Sequence, residues 1–292
     1  MRLDDLDPSS NVRDLGSGGG GGGGFPLLGL LPLVLGRGMG CGGIGLLVIV
    51  GLAYLMFSGG LGGLLGGGQT GAPTQQSGSA KACDTAEELL SCRVLASTEQ
   101  VWGRVFAANG QQYEAPQLNF YQQGVQSGCG QASSAAGPFY CPSDRDLYLD
   151  TTFFNELQNR FGAKGDFAAA YVIAHEVGHH IQTLTGASEQ VQRVQRSGSR
   201  AEGNAASVKL ELQADCYAGV WAKLSGRLEP GDIEEGLTAA NAIGDDTLQR
   251  QSGGTVVPDS FTHGSAAQRV QWLKRGLESG DPASCDTFSG AS

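Results

Sequence analysis

The sequence has no cluster of lysines and arginines. Its 19 basic residues are outnumbered by 29 acidic ones, for a net charge of −10. Neutralising a phosphate backbone needs basic side chains gathered on one face, so no nucleic-acid partner is expected. The seven cysteines include no C-x-x-C pair, which sets aside a cysteine-rich zinc module. Glycine is abundant at 48 residues, but without a period of three, so a collagen-like fibre is excluded as well. Histidine is scarce, with 4 in 292 residues. A motif that uses two of them is correspondingly informative.

The glycine excess is local, unbroken from Gly18 to Gly24 and recurring between Gly36 and Gly71. Residues 1–40 therefore read as a disordered, glycine-rich segment on the cytoplasmic side. Residues 41–65 carry no charge and include Ile44, Leu46, Leu47, Val48, Ile49, Val50, Leu52, Leu55, Met56 and Phe57. Roughly 20 such residues span a bilayer as a helix, so this stretch reads as an N-terminal transmembrane helix, the alternative being a buried core helix. Arg2, Arg13 and Arg37 precede it, and no Lys or Arg follows until Lys81. That bias predicts a single-pass protein of the cell membrane, N-terminus inside and domain outside. Residues 66–80 read as a flexible linker, and 81–292 as one domain large enough to bury a core.

Six cysteines fall in that domain. An even count in an outward-facing domain fits three disulfides. Cys83–Cys92 and Cys129–Cys141 are natural local pairs, and Cys216–Cys285 is left by elimination. Apolar spacing predicts a helix over Thr85–Ala108. Gln117–Tyr121, Pro138–Cys141 and Leu147–Leu149 read as strands, and the pattern is almost entirely helical from Thr151. The expected fold is α+β: a small β region followed by a mainly helical lobe, with a metal between them.

The chemistry concentrates in Ala170–His180, where H-E-x-x-H lies inside a helical segment. Helical geometry sets the side chains of His175 and His179 on one face, about 6 Å apart along the axis. Two imidazoles so placed can bind one zinc ion, and Glu176 sits beside the first ligand without ligating. A buried His–Glu–His cluster lacking a metal would leave costly unpaired polar groups. His180 projects to another side and reads as structural. A catalytic zinc needs a third protein ligand and an open position. Glu211, on a second apolar helix, supplies it, and Asp215 one turn on can orient a ligating imidazole. The bland alternative for that pair is a solvated acidic face.

H-E-x-x-H followed by E-x-x-A-D resembles the gluzincin metallopeptidases, the clan that includes thermolysin. More closely, HEVGHH, ELQADCYAGVW, GDIEEG, IGDD and DSFTHGSAAQRV together resemble the bacterial neutral zinc metallopeptidases of the YpfJ-like type, over roughly Lys81 to Phe288. The resemblance implies a zincin-like fold, one Zn2+ per chain held by His175, His179 and Glu211, and a peptide or protein substrate. The 32-residue step from His179 to Glu211 is longer than in thermolysin, so the segment between Gly186 and Gly203 must loop out and return. His263 resembles the Thr-His element that follows the metal motifs in some gluzincins. It reads either as a donor to the developing oxyanion or as a turn residue opening the last helix. Arg269, Tyr140 and Tyr148 are further candidates for that donor. Glu176 would remove a proton from the attacking water and deliver it to the leaving amine. The alternative is a membrane-tethered module that keeps the zinc fold without turnover, against which the intact Glu176 argues.

Overall fold

The computed structural model describes residues 1–17 and 82–289. The expected transmembrane helix (41–65), the linker (66–80) and the rest of the glycine-rich segment (18–40) lie outside the described residues. Among the described residues, no helix is long and apolar enough to cross a membrane.

The elements run β1 (Val12–Ser17), α1 (Ala86–Ala108), β2 (Gln117–Gln122), β3 (Gly124–Ser127), β4 (Gly130–Ser133), β5 (Phe139–Cys141), β6 (Asp146–Asp150), α2 (Thr152–Asn159), α3 (Asp166–Thr185), α4 (Ala187–Ser197), α5 (Arg200–Ser225), α6 (Asp232–Ala242), α7 (Asp245–Gln251) and α8 (Ala266–Ser279). A short 3-10 turn, Pro282–Cys285, follows. The architecture is α+β, a four-stranded sheet in the order β1-β2-β6-β5 beside a helical lobe. β1, β2 and β6 are parallel, while β5 runs antiparallel to β6 at the sheet edge. β3 and β4 form a separate hairpin.

Local sequence explains where the long helices begin. Thr85, Ser199 and Ser265 each accept a hydrogen bond from the backbone N–H three residues on, and Glu88, Glu202 and Gln268 bond back to the cap's own N–H. These reciprocal capping boxes satisfy donors that the first turn of a helix leaves orphaned. The segment between His179 and Glu211 does loop out, and it does so as helix α4 rather than as irregular chain.

The core lies where the sheet and α1 meet α3 and α5, with Trp102, Phe120, Leu149, Phe167, Tyr171 and Trp221 fully buried. Phe167 and Trp221 stack across α3 and α5. α5 and α8 press backbone to backbone, since a Cβ on Gly276 would collide with the Cys216 carbonyl and one on Gly219 with that of Leu273. Among the described residues, disulfides join Cys83–Cys92, Cys129–Cys141 and Cys216–Cys285.

The first 17 residues correct the expectation of disorder. β1 is hydrogen-bonded in register with β2, and Met1, Leu3, Leu6 and Val12 are buried in the main core. Ser9 and Asn11 both donate to Glu99 of α1, at 2.7 and 2.8 Å. The Met1 ammonium bonds Asp166 at the start of α3 and Asp232 at the start of α6. Burial opposes its charge, but these carboxylates hold its pKa up to about 10. Apolar side chains reaching the core, not helix or strand periodicity, fix this segment. Residues 1–17 and 82–289 therefore share one body. β1 and β2, on either side of residues 18–81, are neighbouring strands of one sheet.

Leu3→Ala separates the two readings of the N-terminus. For a docked segment the variant loses about 2–5 kcal/mol of unfolding free energy, measured by chemical denaturation; a disordered segment predicts no change.

Candidate metal centre

α3 carries His175, Glu176 and His179, and α5 carries Glu211 and Asp215. The two helices touch at Gly178, where a Cβ would lie only 3.0 Å from the Cα of Ala214. That close approach brings the side chains of the two helices to one point. His175 Nε2 lies 3.1 Å from Glu211 Oε2, and His179 Nε2 lies 3.4 Å from Glu211 Oε1. Ligands arranged tetrahedrally around zinc at about 2.0–2.1 Å stand about 3.3 Å from each other, so these separations fit a shared ion. One donor atom from each of the three residues falls within 4.8 Å of the others.

The hydrogen bonds behind the imidazoles select which nitrogen faces that point. His175 Nδ1 donates to Asp215 Oδ1 at 2.8 Å, so Nε2 is the nitrogen that faces Glu211. Asp215 is fully buried, and its charge is met by three groups. Tyr171 Oη donates at 2.6 Å to Oδ1, while Arg269 donates from Nη2 to Oδ1 at 2.9 Å and from Nε to Oδ2 at 3.0 Å. His179 Nδ1 donates instead to a neutral amide, Gln182 Oε1, at 2.8 Å.

Protonation of the metal-free centre follows from these contacts. Burial alone would lower the pKa of His175, but the Asp215 charge and the hydrogen bonds to Asp215 and Glu211 raise it to about 10. His179 is likewise raised, its burial outweighed by the Glu211 carboxylate. Glu211 would be raised by burial, yet the His179 and His175 charges and hydrogen bonds hold it well below the ordinary carboxylate range. Glu176 moves the other way. Burial raises its carboxyl despite the opposing charges of His179 and His175, and the backbone N–H of Tyr140 bonds it.

A cleft of about 410 Å³ opens onto the group. Glu176, His263 and the three candidate ligands line it, as do Phe153, Val172, Ile243 and Leu248. His263 is half exposed, with Nδ1 3.2 Å from Asp245 Oδ1. Asp245 Oδ2 is fixed in turn by the backbone N–H groups of Thr262, His263 and Gly264. The cap of the last helix is Ser265, so His263 is not the cap residue.

The other three sequence candidates for the oxyanion donor have their polar groups engaged by other partners. Arg269 is 3% exposed and its guanidinium is committed to Asp215, because a buried carboxylate needs a paired charge. Tyr140 lines the cleft, but its hydroxyl donates to His180 Nδ1 at 3.2 Å, while His180 Nε2 donates to the Glu114 carbonyl at 2.7 Å. Tyr148 stacks on Phe139 and donates to Asp144 at 2.8 Å, outside the cleft lining. Gln182, Asp245 and Tyr171 were not singled out by sequence reasoning. For Gln182 the available signal was its position, three residues after His179 on the same helical face.

An H-E-x-x-H helix joined to a carboxylate from a second helix gives a donor set that could hold a metal ion, the set a zinc metallopeptidase needs. Comparison with known proteins agrees: residues 1–288 match the family described as "Putative neutral zinc metallopeptidase", and the chain belongs to that family. It is 48% identical over 255 residues to the uncharacterized protein YpfJ of Escherichia coli K12, covering 85% of this chain and 87% of that one. Identity to the uncharacterized protein Rv2575 of Mycobacterium tuberculosis H37Rv is 44% over 223 residues, covering 70% and 73%. No solved structure matches.

Metal uptake is expected to release protons. With its metal-free pKa near 10, His175 is protonated at neutral pH and must become neutral to ligate. Apparent zinc affinity therefore rises with pH until about 10 and falls below it. Calorimetric titration in two buffers of different ionisation enthalpy measures the release, and a buffer-independent heat at pH 7 contradicts the assignment.

Proposed function

We propose that the protein is a zinc-dependent peptidase that hydrolyses peptide bonds with Glu176 as general base. The observation that carries this reading is the convergence of His175, His179 and Glu211 in a cleft that Glu176 also lines. Zinc, when bound, polarises the scissile carbonyl and lowers the pKa of a water molecule.

The chain's own groups do the rest. Glu176 receives the proton of the attacking water and passes it to the leaving nitrogen. Its raised pKa brings it closer to neutrality, where proton transfer in both directions is efficient. His263 is the group of the cleft free to donate to the developing oxyanion. Asp245 occupies its Nδ1, leaving Nε2 for substrate, and raises its pKa through that hydrogen bond, favouring the donor form. Phe153, Val172, Ile243 and Leu248 suit an apolar substrate side chain near the scissile bond. β5 ends the sheet beside this cleft, and an extended peptide can pair with such an edge.

The three disulfides support an oxidising compartment outside the cytoplasm. The uncharged stretch 41–65 supports attachment to a membrane. We place residues 1–17 and the peptidase body on the same face of that membrane.

Glu176→Gln is expected to lower cleavage of an unfolded protein substrate by about 10²–10⁴-fold while zinc content is retained; wild-type turnover in this variant would sink the mechanism. His263→Ala is expected to lower kcat by about 10²–10³-fold with little change in KM. Asp245→Asn should reproduce part of that loss. Steady-state kinetics on an apolar-residue peptide library reads both, and an effect confined to KM would remove His263 from the role.

A further inference from the structure

The two imidazoles of the centre are held differently, one by a charged carboxylate and one by a neutral amide. The amide belongs to Gln182, which is fully buried. Its Oε1 accepts from His179 Nδ1, and its Nε2 donates to the Leu210 carbonyl at 2.6 Å and to Gln213 Oε1 at 3.1 Å. A backbone carbonyl only accepts, so Leu210 dictates which way the Gln182 amide points. Its oxygen must then face the imidazole, which puts the ring proton on Nδ1 and leaves Nε2 of a neutral His179 as the ligating atom.

The chain of bonds continues. Gln213 Nε2 donates to the carbonyl of Cys285 at 3.0 Å. Cys285 is joined by a disulfide to Cys216, three residues beyond Gln213 on α5. Two residues after Cys285, Thr287 donates from its hydroxyl to the Lys209 carbonyl at 2.7 Å. Donor polarity runs one way, from imidazole N–H through two amides to a carbonyl fixed by a covalent cross-link.

We propose that Gln182 is a positioning residue for His179, and that the Cys216–Cys285 disulfide anchors it from the far end through Gln213, so that loss of the disulfide weakens metal binding at His179. The proposal rests on the metal-centre reading and adds to it a control exerted from the C-terminal segment. Opening the cross-link consumes a dithiol, which is oxidised to its own disulfide as Cys216 and Cys285 each gain a hydrogen. A purely structural relay, satisfying buried polar groups between two helices, would affect stability without biasing the imidazole.

The test uses the full-length chain with Co2+ as the probe, its affinity measured against a competing chelator, and 15N resonances reporting the tautomer of neutral His179 in the metal-free protein. Gln182→Met is expected to lower Co2+ affinity about 10–100-fold and to populate the tautomer with the proton on Nε2. Replacing Cys216 and Cys285 together by Ala is expected to lower affinity by a smaller factor, with little further loss in the Gln182→Met background, because the two changes act through one path. Where the cysteine-free variant does not fold, Gln213→Met interrupts the same path with the disulfide intact. Unchanged affinity and tautomer in Gln182→Met overturn the proposal, as does an equal loss from the cysteine change in both backgrounds. Failure of the wild-type chain to bind Co2+ would instead remove the metal-centre reading, and the tautomer measurement would still judge Gln182.

Discussion

The centre depends on one buried carboxylate. Asp215 has no solvent to stabilise its charge, and a carboxylate in that position persists only when it is paired and fully hydrogen-bonded. The fold meets the requirement with three side chains from two helices: Tyr171 and His175 from α3 and Arg269 from α8. Because Arg269 must reach Asp215, α8 has to press tightly on α5, which the glycines at 219 and 276 allow. Because Tyr171 and His175 must reach it too, α3 has to run against α5, which Gly178 allows. The helical lobe is packed around the needs of this anion, and the orientation of the first candidate ligand follows from it.

The two candidate ligands on α3 sit in environments of opposite character. His175 has a full negative charge behind it, which strengthens the ring as an electron donor. His179 has an amide, which orients without adding charge. With Glu211 as third donor, the set carries one negative charge rather than two, leaving an electron-poor centre suited to polarising a carbonyl. The surrounding cleft is lined by apolar Phe153, Val172, Ile243 and Leu248 together with Glu176 and His263.

Much of this arrangement was legible in the sequence where the relevant physics is local. H-E-x-x-H and E-x-x-A-D fix side chains on a helical face through i, i+4 spacing alone, and Thr85 followed by Glu88 announces the start of α1. The strands that became β2, β5 and β6 showed in their composition, and the cysteine pairs in their even number, with two pairs near in sequence and the third left by elimination. The N-terminal strand was not legible. Met1, Leu3, Leu6 and Val12 follow neither helix nor strand periodicity, and β1 pairs with residues about a hundred positions away, so tertiary contact decides its conformation. Arg269 was read as a group facing substrate because sequence shows a charge but not the buried anion that claims it. Asp245 meets His263 across an irregular loop, and no spacing rule connects them.

The position of Arg269 and Cys285 near the C-terminal end of the fold bears on how the protein matures. During synthesis the H-E-x-x-H helix leaves the ribosome about ninety residues ahead of Arg269, and until then Asp215 has no guanidinium to share its charge. The carbonyl that terminates the Gln182–Gln213 path emerges later still. A nascent or truncated chain can thus display the whole motif while its centre is unfinished, and the arrangement is assembled only once the residues through Cys285 have emerged.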